Sequence, residues 1–403
     1  MSDKKKNATV NATIVVVMSF VVILLIAEVG LRVIDKSGIA PVLSVAMGKA
    51  RPPLDSRTGP GLYYAHQYSA YAIKPNYRRE PFERSNSLGF RGADIELEKP
   101  DGVYRIVALG GSTTYAVYLP WNKTYPYYLQ RELRERFGTD RIEVINAGLT
   151  GSTTAESFHR LPTQILGLDP DMVVIYHAYN DLLPRIFNDY QEDYYHFRKS
   201  NPNNPPGMTR FYLYRLALAV FSPGFFHENY NLMGMVWKIE NLPNTDTERT
   251  QNFLASTNDA FRFNMDNMIA LLTAKGIDVT LASFAIRPDI WHWMDYLPPY
   301  LWEVGIAENN EVIYELAEQY QLPLVPFAEA PFGLASKSYN AKLYSDSIHM
   351  GPEGNEFKAE IFADTIAPIV AKKLGLPVPA SSSYATAPGT TTGEGETEET
   401  ESI

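Results

Sequence analysis

Between residues 103 and 373 the chain alternates short β-branched apolar runs with longer amphipathic stretches, which limits the folds open to it more than any other feature. Arg105 to Leu109, Ile142 to Ile145, Met172 to Tyr176, Val279 to Phe284 and Leu322 to Pro326 have the length and residue types of strands. Thr124 to Phe137, Thr154 to Ile165, Asn252 to Lys275, Glu308 to Tyr320 and Pro352 to Lys373 read as helices. In the third, Phe261, Met265, Met268, Ile269 and Leu272 recur at helical spacing, and the last opens with proline in its first turn. Strands that alternate with helices imply an α/β fold whose parallel sheet is covered on both faces.

A sheet of this kind gathers its chemistry beyond the carboxyl ends of the strands. Leu109-Gly110-Gly111-Ser112-Thr113 follows the first run, Asn146-Ala147-Gly148 the second, and Ala178-Tyr179-Asn180-Asp181 the third. Asp346-Ser347-Ile348-His349 comes after the last run, directly before the Gly351-Pro352 helix start. Each element alone is common loop punctuation; their convergence on one edge is the informative point. A serine hydroxyl becomes a nucleophile when a base takes its proton, and a carboxylate holds that base in one tautomer. Ser112, His349 and Asp346 are therefore the candidate catalytic residues. The backbone N–H of Ser112, the backbone N–H of Gly148 and the side-chain amide of Asn180 are the candidate oxyanion donors; glycine at 148 would leave no side chain between its amide and a substrate.

The Asp-x-x-His spacing occurs twice more, in Asp193-Tyr194-Tyr195-His196 and Asp289-Ile290-Trp291-His292. The first has no strand beneath it. The second follows the fourth strand and is the real competitor, with Asp289, Trp291 and His292 also candidates for lining the pocket. Plainer readings exist for other residues: Ser112 as a helix N-cap, Asn180 as a turn residue, Asp181 as structural, and His177 as a core or supporting histidine.

The absence of cysteine excludes thiol nucleophiles, disulfides and thiolate metal sites. His66, His159 and His227 have no metal-ligand spacing, and neither HExxH nor a phosphate-cradling glycine motif occurs, so no metal or cofactor is expected. The net charge of −10, with Glu394, Glu396, Glu398, Glu399 and Glu401 clustered in the tail, argues against a nucleic-acid partner.

Asn7 to Ala27 is a 21-residue stretch without a charge, long enough to cross a bilayer as a helix. Lys4, Lys5 and Lys6 precede it, which predicts a single-pass protein with a cytoplasmic N-terminus and an extracytoplasmic body, periplasmic or extracellular. The rival readings are a cleaved signal peptide and a buried core helix. The expected organisation is a cytoplasmic tip and anchor over 1–34, an irregular juxtamembrane lead-in over 35–100, the α/β domain over 101–376, and a disordered acidic tail over 377–403. Leu88 to Gly92 in the lead-in reads as a turn or short β element docked on the body. Residues 182–250 form an aromatic-rich, loop-like insertion, too long for a bare connection. Its Phe211 to Phe221 stretch reads as a core helix, a substrate wall or an interfacial helix.

At these residues the chain resembles the SGNH/GDSL hydrolase family, in four blocks in the family's order across roughly residues 103–373. Leu109-Gly110-Gly111-Ser112 resembles the nucleophile block, with Gly111 where the family has Asp. Ala147-Gly148 resembles the glycine block, and Ala178-Tyr179-Asn180-Asp181 the Gly-x-Asn-Asp block, with Ala178 for Gly. Asp346 to His349 resembles the final Asp-x-x-His block. The resemblance implies a three-layer α/β/α, flavodoxin-like fold with a five-stranded parallel sheet and a metal-free Ser-His-Asp esterase mechanism. The Gly-x-Ser-x-Gly elbow of the α/β-hydrolases is absent around Ser112. The lead-in Ser85-Asn86-Ser87-Leu88-Gly89-Phe90-Arg91-Gly92 and the apolar N-terminal stretch are similar to those of bacterial envelope members, which implies a carbohydrate ester as substrate. The expected activity is hydrolysis of a short-chain acyl ester. Two alternatives stand beside it: acyl transfer to a polysaccharide, which would need a membrane partner, and a catalytically silent glycan-binding or scaffold protein.

Overall fold

The computed structural model describes residues 2–37, 62–66, 68–79, 82–199, 211–221, 236–287, 298–330 and 343–381. Helix α1 (Ser2–Ser37) leads the chain, and two small antiparallel hairpins follow, β1 (Tyr63–His66) with β2 (Ala70–Ile73) and β3 (Arg78–Arg79) with β4 (Glu83–Arg84). The central sheet is built from β5 (Tyr104–Gly110), β6 (Ile142–Gly148), β7 (Met172–Tyr176), β8 (Asp278–Ala282) and β9 (Leu324–Val325). All four pairings are parallel and the spatial order is β6-β5-β7-β8-β9. The chain thus runs outward from β5 in one direction, then crosses to the other, and the switch falls between β6, β5 and β7. That is where an open parallel sheet leaves a crevice.

Every residue of β5 is buried, as a strand covered on both faces requires. Ile106 and Ala108 join Val144, Met172 and Val174 in one apolar cluster, together with Tyr128, Leu129 and Leu133 of α3 (Tyr125–Phe137) and Phe362 and Ile366 of α9 (Pro352–Leu374). Val107 and Leu109 face the other cluster, with Ile145, Val173, Ile175, Val279 and Leu281. That side is covered by α4 (Thr154–Arg160), α7 (Asp259–Ala274) and α8 (Pro299–Gln319). The result is the three-layer α/β/α fold with a five-stranded parallel sheet. Phe261, Met265, Met268, Ile269 and Leu272, picked out by their spacing, are all buried in this second cluster.

Three elements differ from their sequence expectation. The long helix expected from Asn252 to Lys275 is two, α6 (Asp246–Ala255) and α7, parted at Ser256-Thr257-Asn258. There Ser256 Oγ donates to the Phe253 carbonyl and Thr257 Oγ1 accepts the Asp259 N–H, so side chains take over what helical bonds would supply. The helix expected to run from Thr154 to Ile165 changes to a wider π turn after Arg160, where Pro162 has no N–H to continue the α ladder. Helix α8 begins nine residues before the expected Glu308, at Pro299, because proline fits the first helical turn.

From residue 62 onward, the described part of the lead-in is more ordered than an irregular segment. The Arg91 N–H donates to the Asn146 carbonyl at 3.3 Å as an antiparallel bridge onto edge strand β6, and Phe90 is buried in the second core cluster. The docking expected of Leu88 to Gly92 is found, and it shields an otherwise open sheet edge. Within α1, the apolar side chains from Ile14 to Ile26 are exposed, which rules out a buried core helix; α1 is long and apolar enough to cross a membrane. Helix α5 (Tyr212–Phe221) packs on α1 rather than in the core. The tail beyond residue 381 and the Asp289 to His292 competitor lie outside the described residues.

Candidate active site

The register of the sheet sets Gly110 of β5 level with Gly148 of β6 and Tyr176 of β7, so the segments that follow these strands emerge side by side. Immediately after Gly110 the chain turns into α2 (Ser112–Tyr115), one turn with Gly111 as N-cap. With Asn180 placed as it is, a side chain at 111 would displace it: a Cβ on Gly111 would lie 2.6 Å from Asn180 Nδ2. Glycine at 111, where the family carries Asp, lets the Asn180 amide lie directly over the backbone that precedes Ser112.

His349 Nε2 lies 2.8 Å from Ser112 Oγ, and His349 Nδ1 lies 2.7 Å from Asp346 Oδ2. The Asp346 Oδ1 atom accepts the N–H groups of Ile348 at 2.9 Å and His349 at 2.7 Å. The loop closes on itself through Ser345 N–H to the His349 carbonyl at 2.7 Å, then enters α9 at Pro352. Asn355 ties this start to α3 by accepting the Tyr125 N–H at 3.0 Å. Ser112, Asp346 and His349 are all buried. Burial alone would raise the Asp346 carboxyl, but the hydrogen bonds from His349 and from two backbone N–H groups outweigh it and hold it below the usual carboxylate range. The carboxylate stays ionised and can neutralise an imidazolium. Such a line of hydroxyl, imidazole and carboxylate is able to move the serine proton onto nitrogen.

Of the three expected oxyanion donors, Ser112 and Asn180 line the pocket and Gly148 does not. Ser112 contributes the first N–H of α2. Asn180 Nδ2 donates one proton to the Ser152 carbonyl at 2.7 Å, which fixes the amide while its second proton has no partner among the described residues. Gly148 does not belong with them. Its N–H donates to Asn146 Oδ1 at 3.0 Å, and a Cβ there would overlap the Tyr115 backbone nitrogen. This glycine is required because α2 packs directly on the end of β6, not because a substrate approaches it. A candidate that the sequence reading did not name is Gly151, three positions on. Its φ of +74° is a conformation that favours glycine, its N–H has no hydrogen-bond partner among the described residues, and the adjoining Ser152 carbonyl lies 3.5 Å from the Cβ position of Gly111. A second glycine three residues past the first was the available signal.

The competing Asp193-x-x-His196 set is excluded as a relay: His196 Nε2 faces the Pro184 carbonyl at 2.9 Å and its Nδ1 accepts the Gln191 N–H at 3.1 Å. His177 is a supporting residue, bonded to Ser157 Oγ at 2.7 Å, and burial with the nearby Arg160 charge pushes it down to about 3. Asp181 is structural, as expected: it accepts Thr154 N–H and hydroxyl bonds and the Tyr194 hydroxyl, and burial pushes it up to about 7. Around Ser112 a small pocket is lined by Thr113, Tyr179, Asn180, Phe284 and Ile348. At its rim Tyr118, 55% exposed, stands edge-on to His349 with ring centroids 6.1 Å apart. Among the described residues no cluster of three His, Asp or Glu side chains suits a metal ion.

An α/β/α fold with these groups at its switch point defines a class of hydrolases. Residues 108–357 match the GDSL-like lipase/acylhydrolase family, and the chain belongs to that family. It is an ester-hydrolysing enzyme, and the scaffold alternative gives way. No curated protein matches the chain. Solved structures similar to it include a lipase/acylhydrolase from Enterococcus faecalis, 17% identical over 66% of this chain and 95% of that one, with a TM-score of 0.40. Another is an acetylxylan esterase from Geobacillus stearothermophilus, 13% identical over 71% and 100% of the two chains, with a TM-score of 0.42. A third is a protein of the G-D-S-L family from Desulfitobacterium hafniense, 16% identical over 64% and 97%, with a TM-score of 0.38.

Proposed function

We propose that the enzyme removes a short acyl group, acetyl above all, from an envelope carbohydrate through a Ser112-His349-Asp346 triad. The observation that carries this reading is the unbroken pair of hydrogen bonds from Ser112 to His349 and from His349 to Asp346. Ser112 Oγ gives its proton to His349 Nε2 as it attacks the ester carbonyl. The oxyanion that forms is received by the N–H groups of Ser112 and Gly151 and by the free amide proton of Asn180. As the tetrahedral intermediate collapses and the ester C–O bond breaks, His349 protonates the departing sugar oxygen, which leaves as the hydroxyl, and water repeats the sequence on the acyl-enzyme with His349 again as base. The small size of the pocket beside Ser112 favours a short acyl chain. The exposed Tyr118, with Trp121 and Tyr127 edge-on to each other further along the same surface, offers ring faces for sugars.

The membrane reading is that α1 remains as an anchor, with its lysine-bearing end in the cytoplasm and the domain on the other side. A polymer of the envelope is then within reach of the site and cytosolic acyl donors are not.

The test uses the full chain in detergent micelles. A fluorophosphonate should form its adduct on Ser112, and aryl acetate hydrolysis should fall at least 1,000-fold in Ser112→Ala and in His349→Ala. His292→Ala and His196→Ala serve as parallel controls expected to keep activity. Full activity in His349→Ala would overturn the triad. An adduct on Ser112 with acetyl passing to added glycan, and little hydrolysis, would favour transfer over hydrolysis.

A further inference from the structure

We propose that α5 is a second membrane contact, lying in the headgroup layer of the leaflet that faces the domain. The inference rests on the reading of α1 as a bilayer span. The charge-free stretch from Asn7 to Ala27 is about 31 Å long as a helix, the thickness of a hydrocarbon core. The next residue, Glu28, therefore stands at the edge of that core. Glu28 is buried against α5: one oxygen accepts the Leu213 N–H at 2.9 Å, and the other pairs with Arg32 at 2.8 Å. The Arg32 guanidinium in turn lies 5.0 Å over the Tyr212 ring. The first turn of α5 is thus pinned to the point where α1 leaves the apolar layer, so α5 cannot lie far from it.

What α5 presents suits that depth. Its sequence, Tyr-Leu-Tyr-Arg-Leu-Ala-Leu-Ala-Val-Phe, contains a single charge, Arg215. Phe211, just before it, is 50% exposed, and Phe221 at its end is 83% exposed. Aromatic residues at the ends of a short apolar helix, beside tyrosines and an arginine, are the composition of segments held at a lipid interface. A helix lying parallel to the surface next to a span would hold the domain at a fixed height and face, instead of leaving it on a single tether. The partner is the lipid surface itself, continuous with the surface already met by α1.

The cysteine-free chain allows a direct test. Phe221→Cys, with Phe263→Cys on the exposed face of α7 as reference (Phe263 is 64% exposed), is labelled with an environment-sensitive fluorophore in the full chain. The protein is reconstituted in vesicles of phosphatidylcholine and phosphatidylglycerol, and fluorescence is read before and after an alkaline wash. The expected result is a blue-shifted label at 221 that a shallow doxyl lipid quenches at least fivefold more than the label at 263, and that iodide reaches less. A label at 221 as open to iodide as that at 263, on protein that withstands the wash, overturns the proposal and leaves the anchor standing. A shielded label that lipid does not quench, with disulfide-linked dimers, means a second copy covers α5 and also overturns it. Protein washed off with its label unquenched beforehand removes both readings; washed off after clear lipid quenching, it removes the anchor reading alone.

Discussion

Asp346 and His349 stood apart from the two other Asp-x-x-His sets in the sequence because only they follow the final strand and come immediately before a helix start, at Gly351-Pro352. Which glycine the proposed oxyanion site would use was not legible in the same way. Gly148 and Gly151 share one loop, and their roles differ only through what each Cα packs against: the backbone of α2 for Gly148, open space near Tyr71 for Gly151. For Asn180 the structure gives a clear expectation. Asn180→Ala should lower kcat by about 100- to 1,000-fold with KM little changed, because its free proton is needed only once charge develops on the carbonyl oxygen. Steady-state kinetics on an aryl acetate measures this. Asp181 makes a prediction in pH. Its carboxyl is raised from the ordinary 3.8 to about 7, so between these values the folded state holds a proton that the unfolded state releases. Its contribution to stability is complete below about 4 and is lost as pH rises to about 7, a change on the order of 4 kcal/mol at most. His177, pushed down by burial, acts in the opposite direction below its ordinary value. The quantity to measure is therefore the difference between wild type and Asp181→Asn in urea unfolding at pH 4.5 and pH 7, which should shift in the variant's favour at the higher pH.

Strands were the legible elements, since a strand buried on both faces must be apolar throughout, and β5 to β8 lie where the β-branched runs are. Helix ends were less so. The break between α6 and α7 depends on Ser256 and Thr257 turning their hydroxyls onto the backbone, an outcome that apolar periodicity cannot report. The hairpins before the sheet escaped notice because their residues make sense only against a partner, Asn146 for Arg91 and Tyr115 for Glu83. At the start of β5, Arg105 has no exposed side-chain surface; it pairs with Glu143 at 2.6 Å and donates to the carbonyls of Leu97, Leu168 and Glu96. One side chain thus joins the lead-in, β6 and the segment before β7. Arg105→Met should cost about 3–5 kcal/mol in urea unfolding, by stranding those acceptors. Arg131→Met, at a half-exposed pair with Glu356, should cost less than about 1 kcal/mol.

For the whole molecule, the lead-in decides what counts as the enzyme. Phe90 fills part of the core, Arg91 covers the edge of β6, and Glu83 accepts bonds from both Arg91 and the Tyr115 hydroxyl. A fragment of residues 62–381 should therefore fold and hydrolyse aryl acetates, and residues 101–381 should be insoluble or inactive; expression of both, followed by circular dichroism and activity, is the check. The bond from Tyr115 to Glu83 reaches beyond this one chain. Tyr115 belongs to the same short helix as Ser112, so a carboxylate from the lead-in helps set where Ser112 sits. Chimeras made by swapping one of these two pieces for a relative's counterpart would inherit a mismatch at the joint, whereas exchanging residues 62–92 and 112–119 together would carry the matched pair across intact.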